Sequence, residues 1–129
     1  MKKLIWLILA LLLLNACGQE KENIQEAVYM NITAEEAKKI MDTEEGYIIL
    51  DVRTQEEFDQ GHIPGAILIP DTDIKTKAEE MLTDKNQLIL VYCRSGRRSK
   101  LAANDLVDMG YTNIREFGGI IDWPYDVES

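Results

Sequence analysis

Four short apolar runs punctuate the chain after residue 27, at 28–32, 47–50, 66–69 and 88–92, and 113–117 reads as a last short strand. Leu88, Ile89, Leu90, Val91 and Tyr92 follow one another without a polar break, the pattern of a strand covered on both faces. Tyr47, Ile48, Ile49 and Leu50 repeat it. Between the runs the spacing turns helical. Thr33 with Glu36 forms a capping box ahead of a helix over 34–41, and Thr54 with Glu57 forms another ahead of a short helix that Phe58 anchors and Gly61 closes. Pro64 and Gly65 suit the centre of a type II turn. Residues 73–82 read as a helix turning Ile74, Ala78, Met81 and Leu82 to the sheet. Over 99–109, Leu101, Ala102, Leu106 and Met109 share one stripe, and Gly110 stands where a left-handed cap is expected. This alternation predicts an α/β domain over 28–129: three layers, with a central mostly parallel sheet and helices on both faces.

The chemistry concentrates in residues 87–100, QLILVYCRSGRRSK. The buried run delivers Cys93 to the carboxyl end of its strand, the edge of an open α/β sheet where ligands bind. The amides opening the next helix, together with Arg94, Arg97 and Arg98, favour thiolate over thiol and attract an anionic substrate. Ser95 and Gly96 complete the loop, and Gly96 permits the backbone angle by which successive amides converge on one point. Reactive cysteines occupy electropositive, partly exposed sites, so the thiol is expected within reach of solvent. Treating Cys93 as a small apolar filler leaves the arginines and the glycine without a purpose.

This stretch resembles the active-site loop of single-domain rhodaneses, the thiosulfate sulfurtransferase-like family, in which cysteine opens a six-residue loop, here ending at Arg98. The segment LDVRTQEEFDQGHIPGAI resembles the first conserved block of rhodanese domains, and Gly118, Gly119, Ile120, Asp122 and Trp123 resemble their closing GG-x-x-x-W element. The resemblance implies the rhodanese-like fold and a sulfurtransferase that needs no cofactor. In it Cys93 carries a persulfide from a small anionic donor such as thiosulfate to cyanide or a thiol, including a thioredoxin-like protein. Arg94, Ser95, Gly96, Arg97 and Arg98 are then the substrate-binding cradle. Phosphatases and arsenate reductases share the fold but place an arginine six positions after the cysteine. Here Ser99 holds that position and Arg98 comes one residue early, a smaller cradle that fits one sulfur atom better than a phosphoryl group. A tethered binding or sulfur-sensing module with little turnover is the reading from another class. Asp51 and Arg53, at a strand end, are read as a structural pair orienting the cradle. His62 reads as a hydrogen-bonded turn residue rather than a base, and Trp123 as packing.

The amino-terminal end has a different character. Lys2 and Lys3 precede an apolar run over 4–14, too short to span a bilayer comfortably, followed by Asn15, Ala16 and Cys17. This resembles a bacterial lipoprotein signal, with Leu14 and Ala16 at the lipobox positions. The resemblance implies cleavage of 1–16, lipidation of Cys17, and a place in the cell envelope, anchored on the outer face of a bacterial membrane. Residues 17–27 are polar and read as a tether. Cleavage removes two lysines and no carboxylate, taking the net charge from −9 to −11. Such a surface repels nucleic acid, leaving Arg94, Arg97, Arg98 and Lys100 as a local exception. With Cys17 acylated, Cys93 is the only thiol left, which excludes an intrachain disulfide and a dithiol mechanism. One histidine and one free cysteine argue against a metal site.

Overall fold

Strand β4, Ile89–Cys93, is buried at all five positions, which is why its sequence shows no polar alternation. The computed structural model describes residues 28–129; the expected signal segment 1–16, the tether 17–27 and Cys17 lie outside the described residues. Around β4 stand β1 (Met30–Asn31), β2 (Ile48–Asp51), β3 (Ile67–Leu68) and β5 (Ile114–Gly119) in the order β1-β5-β4-β2-β3. Every pairing is parallel. Helices α1 (Ala34–Thr43), α2 (Gln55–Gln60), α3 (Ile74–Met81) and α4 (Arg97–Asp108) make the connections. Ile74 and Ala78 of α3 and Ala102, Ala103 and Leu106 of α4 pack one face of the sheet, while Ala37 and Ile40 of α1 cover the other. The fold is the expected three-layer α/β arrangement with a parallel sheet. Among the described residues no helix is long and apolar enough to cross a membrane.

Local signals place most boundaries. Both capping boxes form, Thr33 with Glu36 and Thr54 with Glu57. Gly65 takes φ +84 and Ala66 N–H donates to Ile63 O at 3.0 Å, closing the turn the Pro-Gly pair predicts. Two expectations about facing are corrected. Met81 is 46% exposed and Leu101 51% exposed. The buried stripe of α4 runs through Ser99, Ala102, Ala103 and Leu106, the first three small enough to let the helix lie close to β4 and β5, and this turns Leu101 out to solvent. Met81 is the last residue of α3, and Leu82 rather than Met81 turns inward.

Candidate active site

From β4 the chain passes through α4 to β5 on one side, whereas β2 leads to β3 on the other. Connections therefore diverge between β4 and β2, and the crevice at their carboxyl ends is the ligand-binding position of such sheets. Cys93 ends β4 there, beside Asp51 at the end of β2. The register with β5 shifts between Val91 and Cys93, bringing Cys93 level with Gly119. Gly96, at φ +103, turns the loop back, and its N–H donates to Cys93 Sγ at 3.0 Å. Helix α4 begins at the next residue without a side-chain cap, leaving its first-turn amides to the loop. The loop lies directly on the end of β5: a Cβ on Gly119 falls 2.0 Å from Arg94 O, and Ile121 N–H donates to that same oxygen at 3.2 Å. Gly119→Ala is therefore expected to push the loop off β5 and lower stability by about 1–3 kcal/mol, read from the denaturation midpoint.

The expectation of an accessible thiol is not met: Cys93 is 0% exposed. The loop closes over it, and its side chain belongs to the core cluster shared with Val91, Ala102 and Ala103. Of the loop's cations, Arg94 and Arg97 are exposed to solvent. Arg94 borders a cleft of about 430 Å³, with Arg53, Glu57 and Arg94 on its polar wall and Ile120, Ile121 and Val127 on its apolar one. Ser95, the remaining residue of the expected cradle, is exposed in the same loop.

Arg98 departs from its expected use. Its guanidinium fork closes on Glu57, Nη1 to Oε1 at 2.7 Å and Nη2 to Oε2 at 2.9 Å, tying α4 to α2. The fork that would have gripped an oxyanion already holds a carboxylate. That hydrogen-bonded partner lowers the Glu57 carboxyl to about 2 from an ordinary value of 4.5. A carboxylate depressed on folding adds stability above its ordinary value and loses it as pH falls toward the folded value. Stability should therefore decline between about pH 4.5 and pH 2, and Glu57→Gln should remove this component. Denaturant midpoints at pH 6 and pH 3 should differ less in the variant than in the wild type.

Asp51 and Arg53 form the expected pair, both buried. Asp51 accepts from Arg53 N–H at 2.9 Å, Arg53 Nη2 at 2.7 Å and the Tyr92 hydroxyl at 2.7 Å, and Arg53 Nη2 also donates to Gly61 O at 2.7 Å. Burial first, then the Asp51 hydrogen bond, pushes the Tyr92 phenol well above its usual range. His62 stacks on Phe58 at 3.8 Å with Nδ1 2.9 Å from Phe58 O, in the turn role its setting suggests. Trp123 packs between Phe117 and Tyr125. Sequence reasoning missed Ser99 and Glu116. Ser99 Oγ lies 3.3 Å from Cys93 Sγ and 2.7 Å from Glu116 Oε1. The signal was the parity of β5, where Glu116 alternates with Ile114 on the face that turns to the core.

The rhodanese-like domain family matches residues 33–124. Thiosulfate sulfurtransferase PspE of Escherichia coli (strain K12) is 41% identical over 73 residues, covering 57% of this chain and 70% of that protein. Adenylyltransferase and sulfurtransferase UBA4 of Candida albicans is 35% identical over 105 residues; the match covers 76% of this chain and only 24% of that longer protein. A solved structure titled rhodanese with anions, from E. coli, superposes with a TM-score of 0.61 at 36% identity, covering 64% of this chain and 98% of that one. With the family matched over most of its length and these relatives beside it, the chain belongs to the rhodanese-like domain family.

Proposed function

We propose that this chain moves sulfane sulfur from a small anionic donor such as thiosulfate to a thiol acceptor through a persulfide on Cys93. The Cys93 thiolate attacks the outer sulfur of the donor. A sulfur–sulfur bond forms as the donor's own breaks, and sulfite leaves with the electron pair. An acceptor thiolate, from a small molecule or a thioredoxin-like protein, then takes the outer sulfur and Cys93 departs as thiolate. The observation that carries this reading is the Gly96 N–H at 3.0 Å from Sγ. With the uncapped first turn of α4, it offers a preorganised partner for negative charge on sulfur. Arg94 and Arg97, both exposed, are the cations this reading assigns to the donor's oxyanion. Arg94→Ala should raise KM for thiosulfate roughly fivefold with kcat little changed, as expected for an exposed ionic contact.

The enclosure of Sγ favours a second reading, a sulfur carrier or sensor with slow turnover, because donor and acceptor reach the sulfur only when the loop parts. Phosphatase or arsenate reductase chemistry lacks its arginine, since Ser99 occupies that position and is bonded to Glu116. Thiocyanate formation from thiosulfate and cyanide, measured beside hydrolysis of an aryl phosphate, separates these. Thiocyanate alone supports transfer, phosphate release supports the phosphatase, and a persulfide mass on Cys93 without turnover supports the carrier. We further propose an extracytoplasmic position through lipidated Cys17, supported by the basic start, short apolar core and lipobox-like residues of the amino-terminal segment. Acyl chains on Cys17 in the mass of the mature protein test it.

A further inference from the structure

Glu116 is a buried carboxylate, 2% exposed, and no ion pair among the described residues includes it. Its Oε1 accepts from Ser99 Oγ at 2.7 Å and from Gly118 N–H at 2.8 Å. Ser99 has a single hydroxyl proton, and Gly96 O at 3.0 Å competes for it. Glu116 Oε1 is the closer acceptor, so it takes the proton. A lone pair of the Ser99 oxygen is then left for the Cys93 S–H, 3.3 Å away. Thiol, hydroxyl and carboxylate thus form one continuous chain from the reacting sulfur to a buried base.

We propose that Glu116 and Cys93 share one proton across the Ser99 hydroxyl, making Glu116 a positioning residue that sets when the sulfur becomes a nucleophile. In the exchange the Cys93 S–H bond breaks and its proton joins the Ser99 oxygen, while the original Ser99 proton passes to Glu116 Oε1. The products are a thiolate, an unchanged hydroxyl and a neutral carboxylic acid. The hydroxyl and the Gly96 N–H then both serve the thiolate. No charge is created, because one negative charge moves from carboxylate to sulfur. Ionising both groups in one dry cluster is opposed by their repulsion, so the pair gives up its last proton in a separate step at higher pH.

The surroundings leave this sharing intact. Across from Glu116, β1 presents the uncharged Asn31, and Tyr29 packs on the same core cluster. Arg115 of β5 alternates to the opposite face. From the loop and α4 come exposed Arg94, Arg97 and Lys100, and Arg98 held by Glu57. The Lys100 amino group comes within 3.4 Å of where a Gly96 Cβ would stand. Of these, Arg98 interacts with the charge on Cys93, which favours the sulfur as the bearer of the cluster's single negative charge.

The proposal rests on Cys93 being the reacting group of the sulfur-transfer reading, but its test needs no sulfur donor, so the two fail separately. The rate of alkylation of Cys93 by iodoacetamide is followed against pH in the full chain. The wild type is expected to rise in two steps. Glu116→Gln keeps an acceptor for Ser99 but cannot hold the proton, and should show one step, at least one pH unit below the upper wild-type step. In the wild type, the 13C NMR signal of the Glu116 carboxyl carbon should move across the pH interval of the thiol steps, and Cys93→Ser should abolish that movement. An alkylation profile unchanged in Glu116→Gln overturns the proposal. So does a carbon signal that stays flat through the interval, which is read in the wild type and decides the matter even where the glutamine variant does not fold.

Discussion

Cys93→Ser is expected to reduce sulfur transfer roughly a thousandfold or more while the domain stays folded. A hydroxyl is close to a thiol in size, and the buried position already supplies partners for it: the Gly96 N–H as donor and Ser99 within reach. Substituting a more polar atom in a wholly enclosed site costs about 1–2 kcal/mol when such partners exist, which leaves the fold populated. Chemistry has no comparable substitute. Serine ionises far less readily than cysteine, and a sulfur–sulfur bond cannot form on oxygen. Thiocyanate production and a thermal melt on the same sample check both halves, and transfer at the wild-type rate removes Cys93 from the mechanism.

Asp51→Ala should be the most damaging single change to stability, by about 3–5 kcal/mol, because it leaves a buried guanidinium without its counter-charge. Arg53 sits against Asp51 through Nε at 3.0 Å and Nη2 at 2.7 Å, and with only 5% of its surface open to the cleft, water is a poor replacement. The same change strips the Tyr92 hydroxyl of its acceptor at 2.7 Å, one residue before Cys93. For a domain of this size the melting midpoint should fall by roughly 15 °C or more. A drop of only a few degrees would mean that Arg53 finds another anion or turns out to solvent.

Much of the architecture was legible because its signals are local. Unbroken apolar runs marked β2 and β4, the two capping boxes marked α1 and α2, and Gly110 adopts the left-handed angle expected of it. The edge strands were overestimated for a physical reason. An apolar run says that residues prefer burial, whereas ladder length depends on the neighbour, and β1 and β3 each pair on one side for only two residues. In the site, the position of Cys93 at its strand end and the left-handed angle of Gly96 were readable from the loop itself. The roles of Arg98 and Glu116 were not, since each depends on a partner far away in sequence: Glu57 across the cleft, and Ser99 from the facing helix. Basic residues beside a cysteine suggest anion binding whether or not a carboxylate from another element already occupies one of them. Enclosure of the thiol was equally hidden, because it follows from how closely the loop settles on Gly119.

That enclosure bears on how the molecule ages. Peroxide converts a cysteine to its sulfenic and then its irreversible sulfinic form at a rate governed by contact with solvent and by the fraction ionised. A sulfur sealed beneath its own loop is shielded from oxidants in this conformation. On the sulfur-transfer reading proposed above, any change that opens the loop wider to reactants opens the sulfur equally to peroxide, so speed and working life trade against each other.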